Sequence, residues 1–275
     1  MSKTTALYGL AGENLALTTT PTLASGSVAT GYGLANLANS NPAVPCRPTT
    51  NPTIIAWDFG SAKLLNLIAL INTKVVGTVK VLANTSNTWF APALSITWPN
   101  LGVDEEGYPP SAWLDLSAYS GNTAYRYWAV LAEGDGISIG EVWFGTGIYR
   151  FEYGPLINSP VMAEQRKNYS LDTDLGTQMV YDLGARISPT TGVKLLMSGA
   201  VGVPQYQTLR RSAREMLLPW VFAPNPDVIS TIPFFLGSGI QLVRFATDNY
   251  ALTPIENGHH STSFDVRALG LGLKP

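Results

Sequence analysis

Cysteine, histidine and charged residues are all scarce in this chain of 275 residues. The single cysteine, Cys46, excludes an intrachain disulfide and any zinc centre built from several thiolates. Two histidines, His259 and His260, leave one short segment that could supply imidazole to a catalytic relay or a metal site. Stability is therefore expected to come from packing or from assembly.

Long apolar runs are also missing. The N-terminal segment MSKTTALYGLAGENLALTTT carries one lysine and lacks the continuous apolar core of a secretion signal. No stretch approaches the roughly 18 to 20 apolar residues that a membrane-spanning helix needs. The sequence predicts synthesis in a cytoplasm, without a secretion signal and without membrane insertion.

Charged residues of either sign are few. Only 13% of the residues are charged, and 17 basic against 19 acidic side chains leave a net charge of −2. Such a chain has no long-range field that would attract nucleic acid, so no nucleic-acid partner is expected. A surface poor in charge suits a protein that buries much of itself against other proteins.

Glycine and proline are plentiful, at 26 and 19 residues, and 45% of the chain is hydrophobic. This balance is typical of short strands joined by many turns, so the predicted fold class is mainly β. The length favours two domains of about 130 residues each, which we place at 1–148 and 149–275.

Alternating apolar residues between turn formers predict the strands, and residues before Ile54 are expected to form an extended lead-in that packs. In the first half the predicted strands are Ile54–Phe59, Leu64–Thr73, Thr78–Ala83, Ala112–Leu116, Tyr125–Glu133 and Ser138–Phe144. In the second half they are Val161–Tyr169, Gly176–Leu183, Val193–Ala200, Ile240–Thr247 and Thr262–Ala268. One amphipathic pattern, Gln205 to Leu218, predicts the single helix.

Three runs of the first half carry a family resemblance. They are Ala24 to Pro42 (ASGSVATGYGLANLANSNP), Cys46 to Pro48 (CRP) and Ile54 to Gly60 (IIAWDFG). In this order they resemble the opening of discoidin domains, also called coagulation factor 5/8 C-type domains. Tyr125 to Phe144 is similar to the closing strands of that family. The resemblance implies a galactose-binding-like jelly-roll β-sandwich between about Leu15 and Gly147.

The sequence departs from the discoidin pattern at two points. Asn39-Ser40 stands where the family has Asp-Gly, and Cys46 stands where the family has tryptophan before the arginine. The Asp-Gly turn often holds a structural calcium in the family. No metal and no other cofactor is therefore predicted.

The second half resembles the belt domain of tailed-bacteriophage distal tail and baseplate proteins. The similar segments are Leu218 to Asp227 (LPWVFAPNPD) and the last strand, Thr262 to Leu269 (TSFDVRAL), together with the single helix. The resemblance implies a β-rich, split-barrel-like domain that assembles into a ring. The belt comes first in that family, whereas here it comes last.

Loops rich in aromatic and amide side chains are candidates for carbohydrate binding, because a sugar ring stacks on an aromatic face while its hydroxyls need polar partners. The candidate residues are Asn84, Asn87, Trp89, Trp98 and Tyr108. The alternative is that Trp89 and Trp98 cap the sandwich core or lie at a subunit interface. Asp104, Glu105 and Glu106 are interpreted as a solvated acidic turn, since adjacent carboxyls need not face one ligand; calcium binding and paired acids are the alternatives.

No catalytic residue is predicted, and the protein is not expected to be an enzyme. Ser261, Ser263 and Asp265 follow the two histidines, but catalytic triads are assembled from separate chain segments. Arg210, Arg211 and Arg214 are predicted to form a basic exposed face of the helix that contacts a neighbouring subunit. Contact with an acidic partner or nucleic acid is the alternative for these arginines.

Together these observations favour a structural protein of the tail tip or baseplate of a tailed bacteriophage, located in the virion. It would form a homo-oligomeric ring, contact other tail proteins and display the sandwich outward, where it could touch a host-surface glycan. The alternative is a carbohydrate-binding protein that recognises cell-surface glycan.

Overall fold

The computed structural model describes residues 7–10, 14–39, 41–98, 111–116, 119, 121–146, 149–151, 161–162, 165–172, 178–187, 190–213, 220–223, 234–236, 241–246 and 251–268. The strands are β1 (Leu7–Leu10), β2 (Thr22–Ser25), β3 (Thr53–Lys63), β4 (Leu67–Asn84), β5 (Leu94–Trp98), β6 (Ala112–Asp115), β7 (Tyr125–Gly145), β8 (Tyr149–Phe151), β9 (Val161–Met162), β10 (Gln165–Asp172), β11 (Gln178–Ile187), β12 (Thr190–Ser198), β13 (Trp220–Ala223), β14 (Phe234–Leu236), β15 (Gln241–Phe245), β16 (Thr253–Pro254) and β17 (His259–Ala268). The helix is α1 (Gly202–Ser212), and 3₁₀-helices span Leu15–Leu17, Leu34–Ala38 and Glu256–Gly258.

Two long strands, β4 and β7, organise the first half. They pair antiparallel from Leu67 opposite Gly145 to Asn84 opposite Tyr127. Strands β6 and β14 extend the ladder beside the first part of β4, whereas β5, β3 and β2 extend it at the other end. Side chains from both ends of the ladder, such as Ile68 and Val81, belong to one buried cluster. The ladder therefore folds over itself into the two layers of a β-sandwich.

The fold-over occurs where the sequence predicts breaks between strands. The register of β4 shifts between Lys74 and Val76, and Gly77 then lies opposite Gly134. Both glycines have positive φ, at 153° and 148°. The turn formers thus bend two continuous strands instead of ending four separate ones, because the β4–β7 pairing continues on both sides of the bend.

The lead-in is fastened to β7 at separate points. Asn14 donates its side-chain N–H to the Val142 carbonyl at 3.0 Å and accepts the Phe144 N–H at 3.0 Å. Farther along, Cys46 exchanges two backbone hydrogen bonds with Ile139, at 2.7 and 2.9 Å. These contacts hold the segment around Arg47 against the β4–β7 bend.

The second half contains a larger antiparallel sheet with the helix packed on it. Its strand order is β8-β1-β13-β15-β17-β12-β9, and β16 pairs with β17. Tyr206 and Leu209 of α1 join Phe245 and Phe264 of the sheet in a second buried cluster. The predicted fold class, mainly β with one helix, is confirmed for the described residues.

The helix differs from its prediction at its start. It begins at Gly202 rather than Gln205, and Pro204 lies in its first turn, where a missing N–H leaves no hydrogen bond unmade. Its predicted end at Leu218 falls in residues 214–219, outside the described part of the chain.

Two strands cross between the halves. β1, from the start of the chain, pairs with β8 and β13, whereas β14, from the second half, pairs with β6. The predicted boundary after residue 148 stays a prediction. The two halves nevertheless share strands across it.

Candidate functional site

An open cleft of about 530 Å³ lies at the bend of the β4–β7 ladder. The segment from Arg47 to Asn51 forms one wall, and residues Gly134 to Ser138 of β7 form the other. Lys74 of β4 and Ala29 of the lead-in complete the lining. The cleft therefore joins three segments that are far apart in sequence.

Hydrogen bonds fix the wall that contains Thr49, Thr50 and Asn51. The Ser27 and Thr49 hydroxyls are 2.6 Å apart, and the Ser27 N–H donates to the Thr50 hydroxyl at 2.9 Å. The Asn51 side-chain oxygen accepts the Gly134 N–H at 3.1 Å, which connects the two walls. These bonds hold the polar side chains of the cleft in place before any ligand arrives.

Arg47 is the most strongly positioned charge of the cleft. Its guanidinium lies over the Tyr32 ring, 4.1 Å from the ring centroid. Its backbone N–H donates to the Tyr32 carbonyl at 3.1 Å, and its own carbonyl accepts the Ala29 N–H at 2.8 Å. Cation–π stacking restricts the side chain while it remains exposed.

The cleft carries two cations and one carboxylate: Arg47, Lys74 and Asp135. The Lys74 chain lies beside Gly136, since a Cβ at that glycine would be 3.8 Å from the ammonium nitrogen. The ion pair between Asp58 and Arg126 lies outside the cleft lining, and among the described residues no salt bridge involves Arg47, Lys74 or Asp135. The three charges of the cleft therefore remain available to a ligand.

The chemistry of the lining suits a polyhydroxylated ligand. Guanidinium, ammonium and amide N–H groups can donate to hydroxyl oxygens, while Asp135 can accept from hydroxyl protons. Ala29, Pro48 and Ile137 add apolar surface for the C–H face of a ring. A polar, partly apolar and open cleft is what a sugar requires.

The last residue of β4 and the loop after it hold three of the predicted carbohydrate-binding residues, and the side-chain amides of Asn84 and Asn87 form hydrogen bonds within this segment. Asn84 is buried and donates to the Thr88 carbonyl at 2.8 Å. The Trp89 indole N–H donates to the Asn87 side-chain oxygen at 3.0 Å. The loop is therefore held by its own hydrogen bonds, and the Asn84 side chain connects its two ends.

Trp89 covers the outer face of the sandwich. It packs with Ile54 and Leu131 against the buried cluster of Ala56, Leu82 and Ala129. The next residue, Phe90, is fully exposed. Part of Trp89 remains accessible, and among the described members of the predicted set this aromatic and Asn87 lie at the surface.

The expectation that Trp98 lies on a binding loop is wrong. Trp98 ends strand β5 and is only 2% exposed. Its strand alternates, with Leu94, Ile96 and Trp98 all pointing into the core cluster. The structural alternative, that this tryptophan caps the core, therefore holds. Tyr108 and the acidic residues Asp104, Glu105 and Glu106 lie outside the described residues.

The predicted basic face of the helix is also corrected in part. Arg210 is 1% exposed, and its guanidinium lies over the Phe245 ring, 4.2 Å from the centroid. Arg211 is exposed as expected, and Arg214 lies outside the described residues. Arg210 is thus a packing residue of the second core, whereas contact of Arg211 with a neighbouring subunit stays a prediction.

The remaining candidate nucleophiles and histidines lie on one strand. His259, Ser261, Ser263 and Asp265 alternate onto one face of β17 and His260 onto the other, so all come from one chain segment, whereas a catalytic triad is assembled from separate segments. Burial raises the pKa of the Cys46 thiol to about 11, which keeps it protonated at neutral pH. Among the residues that the structure describes, no group of three or more His, Cys, Asp and Glu side chains could hold a metal ion. Within the same part of the chain, no helix is long and apolar enough to cross a membrane.

Sequence reasoning did not identify the Arg47 cleft. Arg47 stands within the discoidin-like run Cys46 to Pro48, and Lys74 and Asp135 fall between predicted strands. A charged residue between Pro45 and Pro48, in a chain that is 13% charged, is the local signal that could have identified it.

Several solved sugar-binding modules are similar to about half of this chain. The lectin domain of lectinolysin, in complex with Lewis B antigen, is 13% identical with a TM-score of 0.39, covering 49% of this chain and 97% of that one. The Streptococcus pneumoniae fucose-binding module SpX-3 is 17% identical with a TM-score of 0.37, covering 49% and 98%. Chitosan-binding module 2 of a Paenibacillus sp. IK-5 chitosanase/glucanase, in complex with chitotriose, is 15% identical with a TM-score of 0.33, covering 48% and 99%. No family profile and no curated relative matches the sequence. These likenesses therefore establish no family for the chain.

Proposed function

We propose that the sandwich binds a carbohydrate and that the Arg47 cleft is its binding site. The observation that carries this proposal is the lining of the cleft, which combines fixed hydroxyl and amide groups with three available charges and an apolar patch. A sugar offers the matching chemistry, since its hydroxyls donate and accept while its ring carries C–H groups. No enzymatic role is included in the proposal.

Arg47 is expected to be the central donor. Its guanidinium is held by Tyr32, so little rotamer entropy is lost when it bonds to adjacent sugar hydroxyls. Asp135 on the opposite wall supplies the acceptor. Asn51 retains its side-chain N–H₂ for a ligand, because only its oxygen bonds to Gly134.

The test is a glycan array followed by calorimetric titration of the best ligand. Arg47→Ala is expected to weaken binding by about tenfold or more, in line with the loss of roughly 1.5 to 3 kcal/mol for a hydrogen bond to a charged group. Lys80→Ala, on the outer face of the sandwich, is the matched control and is expected to bind like the original chain.

Two results would contradict the proposal. One is unchanged affinity in Arg47→Ala with a normal thermal unfolding curve. The other is loss of binding in Trp89→Ala alone, which would move the site to the loop after β4.

A second candidate is the assembly role in the tail tip or baseplate of a tailed bacteriophage. The supporting observation is that β10 and β11 pair with each other in a sheet of their own among the described strands. An isolated two-stranded sheet is only marginally stable in water, so support from another copy or another tail protein would be favourable.

Light scattering of the purified chain tests the assembly role. A closed ring would give one discrete mass that is a multiple of the mass of a single chain. A stable monomer at high protein concentration would contradict it.

A further inference from the structure

We infer that the Arg47 cleft selects glycans that carry a carboxylate, as uronic and sialic acids do. This inference rests on the proposed function and adds the class of ligand. Arg47 and Lys74 both line the cleft, against one acidic residue, Asp135. The chain as a whole has a net charge of −2, so this local excess of positive charge runs against the balance of the molecule.

Neither cation is neutralised within the described part of the chain. The carboxylate of Asp58 is bound to Arg126 by two charge-assisted hydrogen bonds of 2.7 and 2.8 Å, on another part of the surface. An unpaired arginine on a ligand-sized cleft has all its guanidinium N–H groups available. A carboxylate matches that fork with two parallel hydrogen bonds, which a neutral hydroxyl cannot reproduce.

The local backbone favours a ligand beside Lys74. Gly136 has a φ of 59° and no side chain, so the lysine chain lies along the cleft wall within 3.6 Å of where a Cβ would stand. A larger residue there would contact Lys74 and restrict the space beside it. The ammonium supplies a point charge, and Arg47 supplies the directional contact.

Asp135 limits the preference and provides an internal check. Its carboxylate accepts hydrogen bonds from sugar hydroxyls, but it repels an acidic group placed nearby. Asp135→Asn keeps the size of the side chain and removes its charge. That change is expected to strengthen the preference for acidic ligands.

The experiment compares ligand pairs that differ only in the acidic group, with the full chain as the protein. Oligogalacturonate is compared with its methyl ester, and sialyllactose with the methyl ester of its sialic acid carboxyl, in low and high salt. In at least one pair the acidic member is expected to bind about tenfold more tightly or better, and high salt is expected to reduce the difference. Arg47→Gln and Lys74→Gln are each expected to reduce the preference, whereas Lys80→Gln, outside the cleft, should not.

The outcomes separate the inference from the proposed function. Equal binding of the acidic and neutral members, with sensitivity to Arg47→Gln, would overturn the acidic preference and leave carbohydrate binding intact. Absence of binding to every glycan on the array would overturn both. An acidic preference that survives both cleft substitutions would place the charge selectivity elsewhere and overturn the inference.

Discussion

Trp89 and Trp98 have the same side chain in opposite environments. Trp98 ends an inward-facing strand and is buried in the core cluster, whereas Trp89 lies on the outer face of the sandwich and is half-buried. An aromatic in a loop-rich segment is therefore not by itself a sign of a sugar site. Whether such an aromatic can contact a sugar depends on which face of the sheet its side chain lies on.

Replacing Trp98 by alanine is expected to lower the free energy of unfolding by about 3 to 5 kcal/mol, because a large core side chain leaves a cavity. Trp89→Ala should cost less, since part of that ring is already in water. Urea unfolding followed by circular dichroism measures both. Equal losses for the two variants would contradict the assignment of Trp98 to the core.

The Asp58–Arg126 pair shows how the pKa of a surface carboxyl is lowered without burial. The hydrogen bonds from the Arg126 side chain and from the Gly60 N–H lower the pKa of Asp58 to about 2, from an ordinary value of 3.8. The stabilisation from this lowered pKa is present above pH 3.8 and is lost as the pH falls through about 2.

An NMR titration of the Asp58 carboxyl carbon is expected to show a midpoint near pH 2. In Arg126→Gln the midpoint should rise towards the ordinary aspartate value, because the main cause of the shift is removed. Lys80→Gln provides the control for a lost positive charge elsewhere on the sheet. An Asp58 midpoint that is unchanged in Arg126→Gln would contradict the pairing.

At the scale of the element, the bend of the β4–β7 ladder is what creates the cleft. Gly77 and Gly134 face each other so closely that a Cβ on either would collide with a backbone carbonyl of the other strand. Backbone atoms in a ladder cannot move aside as a flexible side chain can. The bend therefore depends on glycine at these two positions.

Gly134→Ala is expected to cost about 3 kcal/mol or more, through the collision with the Val76 carbonyl and the positive φ of 148°. Gly31→Ala is the matched control, since Gly31 also has positive φ but has no atom within 4 Å of its Cβ position. It should cost only about 1 to 2 kcal/mol. Thermal unfolding compares the two, and equal losses would mean that the close approach does not matter.

At the scale of the whole molecule, the two halves are joined by more than the linking chain. Strand β1 fills a place between β8 and β13 in the second sheet, while Asn14, a few residues later, is hydrogen-bonded to β7 of the sandwich. The start of the chain thus connects both sheets. Removing strand β1 is expected to destabilise the second sheet before it affects the sandwich.

Deleting residues 1–10 removes β1 and leaves the partner edges of β8 and β13 unpaired. Hydrogen exchange measured by mass spectrometry should become faster in residues 220–223 and 149–151. The β4–β7 ladder should keep its protection, because Asn14 remains. Unchanged exchange in residues 220–223 would contradict the pairing of β1 with β13.

Much of the fold could be predicted because its signal is local. Apolar residues between turn formers predict the strands around Ile54, Val81 and Val130, and composition excludes disulfides and thiolate clusters. The boundaries were less accurate at Gly77 and Gly134. A glycine there predicts a turn equally well whether the chain ends a strand or bends a continuous one.

What the sequence determined by itself was the β class, the single helix and the low charge, all of which depend on composition or on spacing within a few residues. The tertiary structure decided that Trp98 faces the core, that Arg210 is buried, and that Arg47, Lys74 and Asp135 line one cleft. These three charges come from separate segments that meet only when β4 pairs with β7 and the lead-in packs on the bend. Contacts between distant segments depend on strand pairing and register, which no local pattern encodes.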